Sequence, residues 1–147
     1  LILKRRAAAG ARRTAAPDFA IRTDLLDGRL QHEEGLRRLA RGETTRAVEY
    51  LEFACDCEPR NALFRAHLAG ARLAAAPHSP DSVRADLDEA LRLDPECAEA
   101  VLVLGDLHRA AGELGQAEEA YRRASKLAPG DRRPVEALKA LLQRLQK

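Results

Sequence analysis

The residues that could carry chemistry are few: Cys55-x-Cys57 with Cys97, and the run HEEGL at residues 32–36. Three thiols would suit a soft metal, and His-Glu-x-x-His on a helix is a zinc-protease arrangement. Neither pattern survives its geometry. Two residues apart on a helix, the thiols of Cys55 and Cys57 point about 200° apart, which makes a poor chelate. They stand where the middle of the chain carries Leu91 and Leu93, so they read as small buried hydrophobes. The second histidine of the zinc pattern would fall at 36, which is Leu36. His67, His78 and His108 have no matching ligand set nearby in sequence, and no nucleophile elbow, phosphate loop or dinucleotide fingerprint is present. No catalytic residue, metal or cofactor is expected.

Composition points to helices. The 147 residues are 46% hydrophobic with 3% aromatics and neither Trp nor Met. Alanine, leucine and arginine dominate, which favours helix over sheet. The content of apolar residues is too high for a disordered chain. Three cysteines, an odd and low number, point to a reducing compartment, hence the cytoplasm. No run of about 20 apolar residues is present to span a membrane.

The net charge of +2 conceals an asymmetry. Residues 1–24 hold six basic side chains, Lys4, Arg5, Arg6, Arg12, Arg13 and Arg22, against Asp18 and Asp24. The rest of the chain is close to neutral. This basic arm fits either a solvated linker or a tether to nucleic-acid phosphates or anionic lipid headgroups. Phe19 is its only aromatic, so it lacks a platform for stacking single strands. The order LIL then KRR is the reverse of a signal peptide and fits the end of a membrane helix in a longer parent, or a plain boundary.

The elements that position everything else repeat. Pro59, Pro95 and Pro129 are separated by 36 and 34 residues. Before each lies a helical triplet at i, i+4, i+7: Ala47, Leu51 and Ala54; Val83, Leu87 and Ala90; Ala117, Tyr121 and Ala124. Such a triplet is one face of one helix. Upstream of each stands a further small residue, Gly35, Ala69 or Gly105. Small residues on facing helices let the axes approach to about 8 Å. The large member of each triplet then fills the space where the next helix arrives. Gly42 and Gly112 are placed to close a first helix in the left-handed conformation, and each proline to stop a second helix. One such hairpin cannot bury its apolar face alone, but stacked hairpins can.

This pattern resembles the tetratricopeptide repeat family, whose unit is about 34 residues. The match is best over Ala98–Pro129, where Leu104, Gly105, Gly112, Ala117, Tyr121, Ala124 and Pro129 all stand in family places. The unit Ala62–Pro95 keeps Leu68, Ala69, Leu87, Ala90 and Pro95, with two extra residues where Ser79 and Pro80 suit an N-cap and a first helical residue. The unit at about 28–59 keeps Gly35, Gly42, Ala47, Leu51, Ala54 and Pro59 but has Glu34 where leucine is usual. A capping helix is expected over about 131–146, starting near Asp131. The resemblance implies an all-α fold, a right-handed solenoid of antiparallel helix pairs over residues 25–147, with 1–24 as arm or linker.

It also implies a concave groove lined by the first helices. By register these positions are Arg29, His32, Leu36 and Leu39; Leu63, Ala66, Gly70 and Leu73; and Glu99, Leu102, Asp106 and Arg109. That face is more apolar than a solvated helix face and suits an amphipathic helix or apolar peptide of another protein. The resemblance therefore implies a non-catalytic scaffold or adaptor. The arm, residues 1–24, or a slightly shifted first repeat covering those leucines is the alternative arrangement. Family members that grip a C-terminal carboxylate do so with Lys and Asn, and the matching places here hold His32, Leu36, His67, Glu99 and Val103. A carboxylate clamp is not expected. Three repeats and a cap are also similar in architecture to secretion chaperones that shield apolar segments of translocator proteins.

Overall fold

The computed structural model describes residues 27–75 and 80–146. Among them every regular element is an α-helix: α1 Gly28–Ala40, α2 Thr44–Cys57, α3 Ala62–Ala74, α4 Pro80–Leu93, α5 Ala98–Ala110, α6 Leu114–Leu127 and α7 Arg133–Leu145. The arm residues Lys4, Arg5, Arg6, Arg12 and Arg13 lie outside the described residues, as does Ser79. The helices divide into two compact units, one ending at Pro59 and one beginning at Arg60.

Helix ends follow from local chemistry. Asp27 and Asn61 cap α1 and α3, each side chain accepting from a backbone N–H of the first turn, Arg29 at 2.9 Å and Phe64 at 3.1 Å. At α7 the N-cap position is Arg132, without a side-chain cap; Asp131 just before it accepts from Arg133 N–H at 3.0 Å, and Pro134 stands in the first turn. Gly42 and Gly112 both have φ of +80°, and no other described residue except glycine has positive φ. Beyond them Glu43 N–H reaches Arg38 C=O and Glu113 N–H reaches His108 C=O, both at 2.9 Å. That six-residue closure satisfies carbonyls the helix leaves open and turns the chain back within three residues. Pro59, Pro95 and Pro129 follow the ends of α2, α4 and α6 by two residues.

In the first unit, α1 packs on α2 with Ala47, Leu51 and Ala54 fully buried. Gly35 makes this possible: a Cβ there would lie 2.7 Å from Leu51 Cγ. Glu34, the residue out of keeping with the family, is half-buried and accepts hydrogen bonds from Arg38 at 2.8 Å and from Arg37. The helix thus forms around a neutralised carboxylate instead of a leucine.

In the second unit one apolar cluster joins α3, α4 and α5 through Ala66, Ala69, Val83, Leu87, Ala90, Ala100, Val103 and Leu107. A second joins α5, α6 and α7 through Val101, Leu102, Ala117, Tyr121, Ala124 and Leu141. Helix α5 belongs to both, so it is the wall between two layers of core. One buried acid interrupts this packing. Asp86 on α4, 5% exposed, accepts from Arg72 at 2.5 Å and lies 3.6 Å from Arg65, both on α3.

Candidate functional site

The first helices α3, α5 and α7 of the second unit carry a linked set of side chains. Glu99, at the start of α5, takes a two-pronged grip from Arg133 of α7, with N···O distances of 2.6 and 3.2 Å. Arg133 also holds Asp131 at 2.7 Å. On the other side His67 of α3 places Nε2 3.7 Å from Glu99. Burial depresses the His67 pKa below its ordinary 6.5; the Glu99 carboxylate opposes this and Arg133 reinforces it. The imidazole is therefore neutral at pH 7, and Glu99 finds its counter-charge in Arg133.

About two and three turns further along α5, Asp106 and Arg109 meet at Tyr121 of α6. The phenol donates to Asp106 at 2.7 Å and accepts from Arg109 Nε at 3.1 Å. Burial, then the bond to Asp106, pushes the Tyr121 pKa up to about 12. Three of the charged positions expected to face a partner are thus held in place by this chain's own side chains. Such prearranged charges need no ordering when a ligand arrives.

The apolar positions divide. Leu63 is open, at 45% exposure, and Gly70 and Leu73 are half-buried on the same helix. Ala66 is fully buried against Val83 and Leu87, and Leu102 is only 6% exposed, covered by the cluster that includes Leu141. Sequence register puts both on the open face; packing takes them into the core, Ala66 against α4 and Leu102 within the cluster that α7 joins. In the first unit Arg29 is exposed, Leu36 and Leu39 are half-buried, and His32 is buried.

None of the three thiols is in a disulfide; Cys55 and Cys97 are buried, and burial raises the Cys97 pKa. Among the described residues no group of three His, Cys, Asp or Glu is gathered to hold a metal, and no helix is long and apolar enough to cross a membrane.

The arrangement is that of a helical-repeat protein built of successive helix pairs. Residues 79–132 match the tetratricopeptide repeat family, and the fold of the chain is the helical-repeat solenoid of tetratricopeptide-repeat domains. Similar structures include the first such domain of Spaghetti (RPAP3) bound to an HSP90 peptide, at 20% identity and a TM-score of 0.65 over 82% of this chain and 94% of that one. The domain of Sgt2 from Aspergillus fumigatus is 20% identical with a TM-score of 0.69, over 82% of this chain and 80% of that one. The Yersinia enterocolitica secretion chaperone SycD, in complex with a peptide of the translocator YopD, is 17% identical with a TM-score of 0.63, over 84% and 97%. No curated protein matches the chain.

Two features escaped the sequence. The clamp of Arg133 on Glu99 joins residues 34 apart and has no local signature. The Tyr121 bridge had a signal, since tyrosine alone among the large triplet residues carries a hydroxyl that needs a partner when buried.

Proposed function

We propose that this chain is a non-catalytic protein-interaction module, a scaffold or adaptor, that binds an amphipathic helix or apolar peptide of another protein along its first helices. The observation that carries this reading is Leu63, open on α3 one helical turn from His67, beside charges already paired within the chain. A partner covering Leu63, Gly70 and Leu73 gains apolar contact without stripping water from an unpaired ion. Arg109, half exposed, stands at the rim to orient it. In the first unit, taken by itself, Arg29 is exposed and Leu36 and Leu39 offer partial surface for the same kind of contact, while His32 is buried.

Domains of the same fold hold an HSP90 peptide in one case and a peptide of the translocator YopD in another. The residues here favour the apolar mode. A C-terminal carboxylate would meet the Glu99 carboxylate, and Val103 is buried with no donor to offer.

The test compares capture from source-cell lysate by the intact chain and by Leu63→Arg and Leu73→Arg, with mass spectrometry and a thermal melt of each bait. A protein taken by the intact chain and lost from a folded variant supports the reading. Equal capture by folded variants sinks it.

A further inference from the structure

The repeats occupy one register slot in three different ways. A shift of 70 residues carries Gly35 to Gly105, Gly42 to Gly112 and Leu51 to Tyr121. The same shift carries Gln31, Arg38 and Tyr50 to Val101, His108 and Ala120. In the first unit this slot is filled from within. Tyr50 is buried, Arg38 lies over its ring with the guanidinium carbon 5.6 Å from the centroid, and Glu43 accepts from Arg38 at 2.9 Å. In the unit Ala62–Pro95 the corresponding residues are Arg65, Arg72 and Asp86, which fill it with an ion triad.

Between α5 and α6 the slot is vacated. His108 keeps the contact to Glu113, at 3.4 Å, that Arg38 makes to Glu43, but it is shorter than arginine. Ala120 replaces the whole phenol of Tyr50. What is left is a recess of about 240 Å³. Val101, Leu104 and Ala120 form its apolar surface, and His108, Gln116, Glu119 and Arg123 its polar rim.

We propose that this recess is a docking pocket for a single tyrosine side chain of a protein partner. The occupant is read from the chain itself, since the register-equivalent slot in the first unit takes a tyrosine ring with a cation over it, itself paired with a carboxylate. An apolar lining suits the ring. The rim suits the hydroxyl, which both donates and accepts: Gln116 and Glu119 are exposed and Arg123 spends one nitrogen on Pro95 C=O at 2.7 Å. An aliphatic side chain would make no use of that rim, and a charged one would lose hydration against Val101. The pocket lies among side chains of α5 and α6 that are distinct from Leu63, Gly70, Leu73 and Arg109, so it does not depend on the reading of the first-helix face.

The test is an NMR titration of the full chain with N-acetyl-L-tyrosinamide, with N-acetyl-L-leucinamide as the aliphatic control. Saturable shift changes at Val101, Leu104 and Ala120 with the tyrosine probe alone are expected. His108→Arg with Ala120→Tyr installs the first unit's own filling, and the saturable shifts should then be lost while the melt shows a folded protein. Ala120→Leu is the second, smaller filling and should weaken them. Absence of saturable shifts in the intact chain would overturn the proposal, as would undiminished shifts in a folded filled variant. Phe19→Ala is the remaining arm: recess resonances that move on this change without any probe would assign the pocket to the chain's own aromatic, and the partner would be wrong.

Discussion

The ring of Tyr121 lies where a side chain on Gly105 would have to be: a Cβ there would sit 2.6 Å from Cε1 and 2.7 Å from Cδ1. Gly105→Ala should therefore cost about 1–3 kcal/mol, the usual range for an overpacked contact. Shortening the opposing side chain tests the cause. In Gly105→Ala with Tyr121→Leu the two costs should fall short of additive by chemical denaturation, and strict additivity would show that the contact is not what selects glycine.

The left-handed turns make a different demand. Nothing lies within 4 Å of a Cβ built on Gly112, so Gly112→Ala creates no clash. The φ of +80° alone should cost about 1 kcal/mol. A variant as stable as the parent would mean the turn closes in another conformation.

Removing Asp86 leaves two guanidinium groups facing each other without their acid. Asp86→Ala should destabilise the fold by about 3 kcal/mol, in keeping with other buried charges deprived of a partner. Arg72→Met combined with Asp86→Leu should recover a large part of that loss, which a melt of the three variants would read directly.

Acid should act through His67. Its folded pKa is below the ordinary 6.5 because burial disfavours the cation, so the unfolded chain binds a proton that the folded chain resists. Stability is then full above pH 6.5 and declines as pH falls through that value toward the depressed folded pKa. His67→Gln should flatten this part of the stability–pH curve. Retention of the slope in the variant would place its origin elsewhere.

Alkali should act through Tyr121. Its folded pKa, about 12, exceeds the ordinary 10, so its contribution is complete below pH 10 and is lost as pH rises from 10 to 12. Tyr121→Phe should cost about 1 kcal/mol at neutral pH, where the bonds to Asp106 and Arg109 disappear, and should reduce the alkaline loss. Denaturation at pH 8 and pH 11 separates the two effects.

Much of the fold was legible because its cues are local. Gly42 and Gly112 mark turns by a conformation few other residues accept, and the prolines mark where hydrogen-bond ladders must stop. The spacing of Ala47, Leu51 and Ala54 announced a helix face before any partner was known. Glu34 was a misleading sign, since its compensation by Arg38 depends on an exact rotamer that spacing does not record. The candidate site was less legible for a related reason. Register places Leu63 and Leu102 alike on a first helix, yet Leu141 arrives from another helix to cover the cluster holding Leu102, while Leu63 stays open. Burial depends on what comes from elsewhere in the chain, and a repeat pattern lists only what each helix offers.

The Arg65–Asp86–Arg72 triad bears on how the chain finds its own pairing. Hairpins built to one pattern offer similar apolar faces, so a first helix folding against the wrong second helix would bury nearly as much carbon. For α3 that error is costly: neither α2 nor α6 carries an acid in the Asp86 register, where Tyr50 and Ala120 stand. Mispaired, α3 would bring two arginines against a surface with no answering carboxylate at that place. One buried aspartate thus gives the middle hairpin an address, and its loss should show as slower, more heterogeneous refolding as well as lower stability.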